Sequence, residues 1–191
     1  NGDDKKRIAY HESGHALLSM FLTYADPVSK VTIIPRGRAL GVTETMPVED
    51  RVNYTQEVLE DRLCVLLGGR CSERVVFGNV SSGAADDLKQ CTLLARRMVT
   101  QWGMSEKLGP VHFPQHEEHP FLGMEMATSK DFSDVTAHTI DLEVESLIKK
   151  SEERTLQILR DKRRDLDALA EALMANETVS AEEIRQLIKV D

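Results

Sequence analysis

Hydrophobic residues recur at steps of three and four positions through most of the chain, which is the period of an amphipathic helix. The first such segment predicts a helix over about residues 4–24, ended by the sequence ADP. The pattern then changes to two short apolar runs, KVTIIP and ALGVTETMP, on either side of residues 36–38. Such runs around a glycine-containing turn predict two strands that form a hairpin.

Helical periodicity returns near Thr55 and is interrupted at Gly68 and Gly69, which predict the end of a second helix. A further helical turn and then a third helix are predicted next, and the third helix begins near Ser82.

The rest of the chain predicts a loop followed by helices. Residues 104–133 combine prolines, glycines and histidines and predict a long irregular loop. Residues 134–191 predict C-terminal helices, the last of which starts with a capping box formed by Ser180 and Glu183. We therefore expect a mainly α fold, with a small β-hairpin or sheet beside the first helix and a long C-terminal helical bundle. The expected organisation is one domain over residues 1–191, with a core (1–103), a long loop (104–133) and C-terminal helices (134–191).

Composition narrows the classes of function. The net charge of −8 argues against a nucleic-acid partner, because phosphate binding needs a basic patch. No apolar run reaches the roughly 18 residues that span a bilayer, so we expect a soluble segment. Its first residues, NGDDKKR, resemble a cut linker, which suggests a piece of a longer protein. The three cysteines are an odd, sparse set that does not suit a disulfide framework, so we expect reduced thiols in an intracellular setting. They form no CxxC pair, which argues against zinc binding by cysteine.

The candidate chemistry lies in the first predicted helix, in the sequence HESGH. His11 and His15 are four residues apart, so they share one helix face and lie about 6 Å apart along the axis. Two imidazoles so placed can bind one zinc ion. Glu12 lies about 100° round the helix, beside the metal, where it can act as general base for a zinc-activated water that attacks a peptide carbonyl. The alternative is a chance pair of helix histidines.

A catalytic zinc site needs a third protein ligand and an open position. The metzincin motif would place glycine and histidine at the positions of Leu18 and Phe21, so that class is excluded. The histidines outside the motif are His112, His116, His119 and His138. The sequence HEEHP, residues 116–120, has the wrong spacing and falls in the predicted loop, so a carboxylate is the better candidate.

Asp86 and Asp87 are the strongest carboxylate candidates. They stand at the start of the third predicted helix, beside small residues that let another element approach. The alternative is that both aspartates only favour the positive end of that helix.

Several long blocks now resemble a known family: HESGHALL, KVTIIPRGRALGVT, LLGGRCSERVVFG and SSGAADDLKQCTLLARRMVTQWGMSEKLGPV. In this order they are similar to the peptidase domain of FtsH-type ATP-dependent zinc metalloproteases, over about residues 5–188. The resemblance implies that Asp87 is the third zinc ligand, with Asp86 in place of the family's usual asparagine. Ser13 and Ser82 are mild departures from the family's alanine and threonine. Glu73 matches a family glutamate and is a possible partner of a ligand imidazole, the alternative being an exposed helix residue.

The resemblance also implies a biological setting. Family members are membrane-anchored AAA proteases that assemble as homohexamers and processively degrade unfolded and membrane proteins, a form of membrane protein quality control. This chain has no Walker A motif and no spanning segment, so we expect the ATPase domain and the anchor upstream in a parent protein. We expect one Zn²⁺ per chain, and ATP only in the parent. The parent is expected in a bacterial inner membrane with this domain in the cytoplasm, or in an organellar membrane.

The predicted hairpin is a candidate for substrate binding. One of its strands is expected to present an edge beside the zinc, to which an extended peptide can add by backbone hydrogen bonds. The candidates are the strand Val31, Thr32, Ile33 and Ile34, or its partner near residues 41–45. The alternative is a hairpin that only packs under the first helix. Two competing functions, a helical oligomerisation module and a zinc hydrolase of non-peptide substrates, remain open from the residues alone.

Overall fold

The computed structural model describes residues 2–47, 52–114 and 132–190. Within these ranges the chain is mainly helical, with six α-helices and one small antiparallel sheet. The elements are α1 (Gly2–Phe21), β1 (Val28–Thr32), β2 (Val42–Thr45), α2 (Gln56–Phe77), α3 (Ala85–Thr100), α4 (Asp134–Asp161), α5 (Arg163–Asn176), β3 (Thr178–Ser180) and α6 (Ala181–Leu187). A 3₁₀ turn, Ser82–Ala84, precedes α3. The predicted fold class is confirmed.

Helix α1 lies at the centre of the molecule. Its residues 9–14 and 16–19 are all buried, so its second half is covered on every side rather than on one stripe. Helices α2 and α5 pack against it, and α4 packs on α2. The largest fully buried side chains of this core are Leu17, Leu18, Leu59, Leu63, Leu67, Met98, Ile140, Leu159, Leu166, Leu169, Leu173 and Ile184.

The glycine pair in α2 does not end the helix. α2 runs without a break through Gly68 and Gly69 to Phe77, so the prediction of a helix end there is wrong. The physical reason is close packing against α1. A β-carbon on Gly14 would lie 2.3 Å from the carbonyl oxygen of Gly68, and a β-carbon on Gly68 would lie 2.8 Å from that of Gly14. Only glycine lets the two backbones approach this closely.

The sheet has the strand order β2-β1-β3, and both pairs are antiparallel. Val31 in β1 is paired with Thr43 on one side and with Val179 on the other. The prediction that residues 31–34 form an edge is therefore wrong, because β3 covers that side of β1.

The backbone N–H groups of the two residues that follow β1 are also hydrogen-bonded within the molecule. Ile33 donates its backbone N–H to the carbonyl of Glu177, and Ile34 donates its own to the hydroxyl of Thr32. The outer strand beside α1 is β2, which was the alternative prediction.

The helices α4, α5 and α6 lie within residues 134–191, the range in which C-terminal helices were predicted. Ser180 and Glu183 form the predicted capping box at the start of α6. Residues 104–114, the first part of the predicted long loop, contain no helix or strand, and residues 115–131 lie outside the described residues. No helix in the described ranges is both long and apolar enough to cross a membrane.

We predict that Gly68→Ala lowers the free energy of unfolding by about 2 kcal/mol or more, because the new methyl group overpacks a contact between two backbones. Alanine favours a helix by only about 1 kcal/mol over glycine, which does not offset this loss. Urea denaturation of the metal-free chain measures the change.

The control is Gly2→Ala, since no atom lies within 4 Å of a β-carbon built there. It is expected to change stability by no more than about 0.5 kcal/mol. A Gly68→Ala chain as stable as the parent would show that the two helices can move apart freely.

Candidate metal centre

Helix α1 brings the two motif histidines together on one face. The Nε2 atoms of His11 and His15 lie 3.1 Å apart, and the two rings meet edge to face with centroids 4.9 Å apart. His11 is buried, and the side chain of His15 is 12% exposed, so both rings are largely shielded from water. The predicted geometry of two imidazoles directed at one point is present.

The outer nitrogen of each ring contacts a hydrogen-bond acceptor on α2. The Nδ1 atom of His11 lies 2.8 Å from Oε1 of Glu73, and the Nδ1 atom of His15 lies 2.7 Å from the carbonyl oxygen of Val65. Because a carboxylate and a carbonyl only accept, each Nδ1 carries the hydrogen. In the neutral rings both Nε2 atoms therefore present lone pairs toward each other.

Asp87 supplies a third acceptor at the same point. Its Oδ2 atom lies 3.1 Å from Nε2 of His11 and 3.3 Å from Nε2 of His15. The three side chains offer one ligand atom each within 4.8 Å of one another. Three acceptors without a donor repel, so this cluster needs positive charge at its centre. A zinc ion with nitrogen and oxygen ligands fits that requirement.

In the metal-free chain the same surroundings favour the protonated form of His11. Burial lowers the pKa of His11, but hydrogen bonds with Asp87 and Glu73 outweigh burial and raise it to about 9. Burial acts to raise the pKa of Asp87, and its hydrogen bonds with His11 and His15 hold it well below its usual range instead. The cluster thus attracts a cation, whether a proton or a metal ion.

The start of α3 distinguishes the two candidate aspartates. Asp87 belongs to the cluster, whereas Asp86 is exposed and accepts a hydrogen bond of 2.6 Å from the side chain of Gln90. The remaining histidines are not part of this cluster in the described residues. His112 and His138 are exposed, and residues 116 and 119 lie outside the described ranges.

Glu73 is a buried partner of His11, not an exposed helix residue. Its side chain is 1% exposed and accepts hydrogen bonds from Arg7 (2.7 Å), His11 (2.8 Å) and Ser81 (3.0 Å). Burial acts to raise the pKa of Glu73, but the bonds from His11, Arg7 and Ser81 lower it to about 2. The carboxylate is therefore ionised and holds the hydrogen of His11 on Nδ1.

Gly69 makes room for the first histidine, a role that sequence analysis missed. A β-carbon at this position would lie 2.3 Å from Nε2 of His11 and 2.5 Å from its Cδ2. The sequence signal was the glycine pair, which also predicts a helix end when it is considered alone.

Glu12 belongs to α1, and its side chain is buried against the outer strand β2. Its Oε2 atom accepts a hydrogen bond of 2.9 Å from the hydroxyl of Thr43, and Gly41 lies against the same side chain. The sequence pattern indicated only a possible edge strand near residues 41–45, and neither Thr43 nor Gly41 was among the predicted site residues. The outer strand β2 thus contacts Glu12 through the side chain of Thr43.

Comparison with known proteins places these residues in a family context. The family model for peptidase family M41 matches residues 1–187. The ATP-dependent zinc metalloprotease FtsH of Marinobacter nauticus is 49% identical over 98% of the chain and 30% of its own length. The proteins of the same name from Nitrosococcus oceani and Haemophilus influenzae are 51% and 47% identical, over 98% and 96% of the chain and 29% of their own lengths. The chain thus spans about 30% of the length of these curated relatives.

We predict that Glu73→Gln lowers the free energy of unfolding of the metal-free chain by about 3 kcal/mol, because it removes one partner of a buried charged group. The amide nitrogen would also face existing donors, either Arg7 or the pair His11 and Ser81, depending on which oxygen it replaces. Urea denaturation in the presence of a chelator measures this change.

The matched control is Glu152→Gln, since Glu152 also pairs with an arginine, Arg74, but at the surface. Its expected effect is at most about 1 kcal/mol. Equal stability of Glu73→Gln and the parent would contradict an ionised, structurally essential Glu73.

Proposed function

The chain belongs to peptidase family M41, a family of zinc-dependent hydrolases, and from this premise we propose that it is an endopeptidase domain of the FtsH type. In this proposal His11, His15 and Asp87 hold the zinc ion, and Glu12 is the general base. The observation that carries the proposal is the convergence of one ligand atom from each of these three side chains, with the outer nitrogens of both histidines already bound by Glu73 and Val65.

The proposed roles follow from what each side chain can do. When bound, zinc makes a water molecule more acidic and polarises the carbonyl of a peptide bond. Glu12 accepts the proton of the attacking water, because it follows His11 directly and is held in place by β2. Glu73 fixes the tautomer and orientation of His11, since its carboxylate binds the outer ring nitrogen. Val65 does the same for His15 through its carbonyl.

The outer strand β2 is the proposed binding surface for substrate. In the described residues β2 pairs with β1 alone, so one side of its backbone is open. A peptide that adds to this side as a further strand is held by main-chain hydrogen bonds, which are independent of side chains. The proposed site would therefore accept peptides of many different sequences. β2 contacts Glu12 through Thr43, which supports the assignment of this strand rather than β1.

The wider setting of the domain is also proposed. The relatives are named ATP-dependent, and this chain covers about 30% of their length, so we infer an AAA ATPase domain elsewhere in the parent protein. We further propose a homohexameric, membrane-anchored parent that processively degrades unfolded and membrane proteins. In a bacterium this domain would face the cytoplasm. Within it, residues 1–103 carry the proposed zinc site and residues 134–191 the C-terminal helices.

We predict that Glu12→Gln keeps about one zinc per chain but lowers the cleavage rate of an internally quenched peptide by about 100-fold or more, the size expected for loss of a general base. Elemental analysis gives the zinc content, and fluorescence gives the rate. A short peptide is used because it needs no unfolding.

Glu153→Gln is the control, because Glu153 is exposed on α4 and lies outside the site. If Glu12→Gln cleaves like the parent, Glu12 is not the base. A parent chain that holds zinc and cleaves no peptide would favour a hydrolase of another substrate class.

We also predict that Asp87→Asn weakens zinc binding by more than the roughly 10- to 100-fold typical of changes around metal ligands. The reason is the loss of the anionic ligand. Competition with a chromophoric chelator measures the affinity.

Asp86→Asn makes the same chemical change one residue away, at a side chain bound to Gln90 instead. It is expected to bind zinc as the parent does. The reverse result, with zinc binding weakened by Asp86→Asn and unchanged by Asp87→Asn, would show that Asp86 is the ligand.

A further inference from the structure

The hydroxyl group of Thr43 contacts the candidate base directly. Its Oγ1 atom lies 2.9 Å from Oε2 of Glu12 and 3.0 Å from the backbone carbonyl of the same residue. A threonine hydroxyl has one hydrogen to donate, so it bonds one of these oxygens at a time or shares its hydrogen between them. The carboxylate and the backbone of Glu12 are thus both within reach of one side chain on β2.

Gly41 encloses the same carboxylate from a second direction. A β-carbon at Gly41 would lie 2.8 Å from Cγ and 2.9 Å from Oε1 of Glu12. Residues two apart in an extended segment face the same side, so Gly41 and Thr43 form one surface against Glu12. The bare backbone of Gly41 limits where Oε1 can move, and the hydroxyl of Thr43 binds Oε2.

We propose that Thr43 is a positioning residue for the general base, whose hydroxyl fixes the carboxylate of Glu12 in one orientation. This inference rests on the proposed function of Glu12. With Oε2 bound by Thr43, Oε1 accepts no hydrogen bond from the described residues and is free to take a proton. No bond is made or broken by Thr43 itself.

The position of Thr43 also connects the base to the proposed substrate strand. Thr43 belongs to β2, whose outer side is the proposed peptide-binding edge. A peptide that binds there is aligned by β2, the same strand that contacts Glu12. The scissile carbonyl and the base are then positioned by one rigid element, which is the arrangement that proximity effects require.

A purely structural role for Thr43 predicts different behaviour. If the hydroxyl only tied β2 to α1 through the carbonyl of Glu12, its loss would loosen the strand. Thermal stability and KM would then change together. If the hydroxyl orients the carboxylate, kcat falls while KM, zinc content and thermal stability are kept.

The test compares Thr43→Val, which keeps the shape and removes the hydroxyl, with Thr43→Ser, which keeps the hydroxyl. Both are measured as zinc-loaded chains on the quenched peptide, with kcat and KM determined separately. We expect Thr43→Val to lower kcat by about 10- to 100-fold, the size of effect that a misplaced reacting group produces. The KM, zinc content and melting temperature of Thr43→Val should match those of the parent. The Thr43→Ser variant should keep most of the parent's kcat.

Thr139→Val is the matched control, because Thr139 bonds only the carbonyl of Val135 on the exposed side of α4. The inference is overturned if Thr43→Val keeps the parent's kcat, if Thr43→Ser is as slow as Thr43→Val, or if KM and melting temperature change with kcat. These results are distinct from failure of the proposed function, in which the zinc-loaded parent cleaves no peptide. That failure would remove the role of Thr43 as well.

Discussion

The backbone contact between α1 and α2 determines the position of everything else in the site. A β-carbon on Gly14 would lie 2.3 Å from the carbonyl oxygen of Gly68, and further along α2 the bare backbone of Gly69 leaves the space that the ring of His11 fills. Because α2 passes so close, its carbonyl and carboxylate groups reach the outer nitrogens of His11 and His15. A wider crossing would leave those nitrogens to water and free both rings to rotate.

The same contact concentrates negative charge around two imidazoles. Glu73 and Asp87 lie on either side of His11, and hydrogen bonds keep both carboxylates ionised despite their burial. The negative charge of Glu73 is balanced by the partly exposed Arg7, whereas the carboxylate of Asp87 is paired with the two imidazoles. A cation bound between the three acceptors therefore relieves repulsion that the fold itself creates. Metal binding and stability of the folded chain are linked for this reason.

Local signals made the helices and the histidine pair predictable, because helix periodicity and the spacing of His11 and His15 depend only on neighbouring residues. The glycine pair was misinterpreted since its meaning depends on α1, more than fifty residues earlier. The third ligand was open between Asp86 and Asp87 on the residues alone, and only the family resemblance favoured Asp87. Thr43 could not be identified, because a threonine in a short strand carries no sign of the carboxylate that it contacts.

The sheet shows why residues 31–34 do not form a free edge. β1 gains its second neighbour from β3, so that Thr32 bonds Thr178 across 146 positions of sequence. The turn into β3 needs a left-handed backbone at Glu177 (φ 63°), an unfavourable conformation for a residue other than glycine. In return, the carbonyl of Glu177 accepts a hydrogen bond from Ile33. With β3 in place, β1 has a neighbour on each side, so the outer strands of the described sheet are β2 and β3, and β2 is the one that contacts Glu12. The C-terminal segment thus bears on the proposed peptide-binding surface without supplying a ligand, because β3 closes one side of β1 and leaves β2 as the outer strand that contacts Glu12.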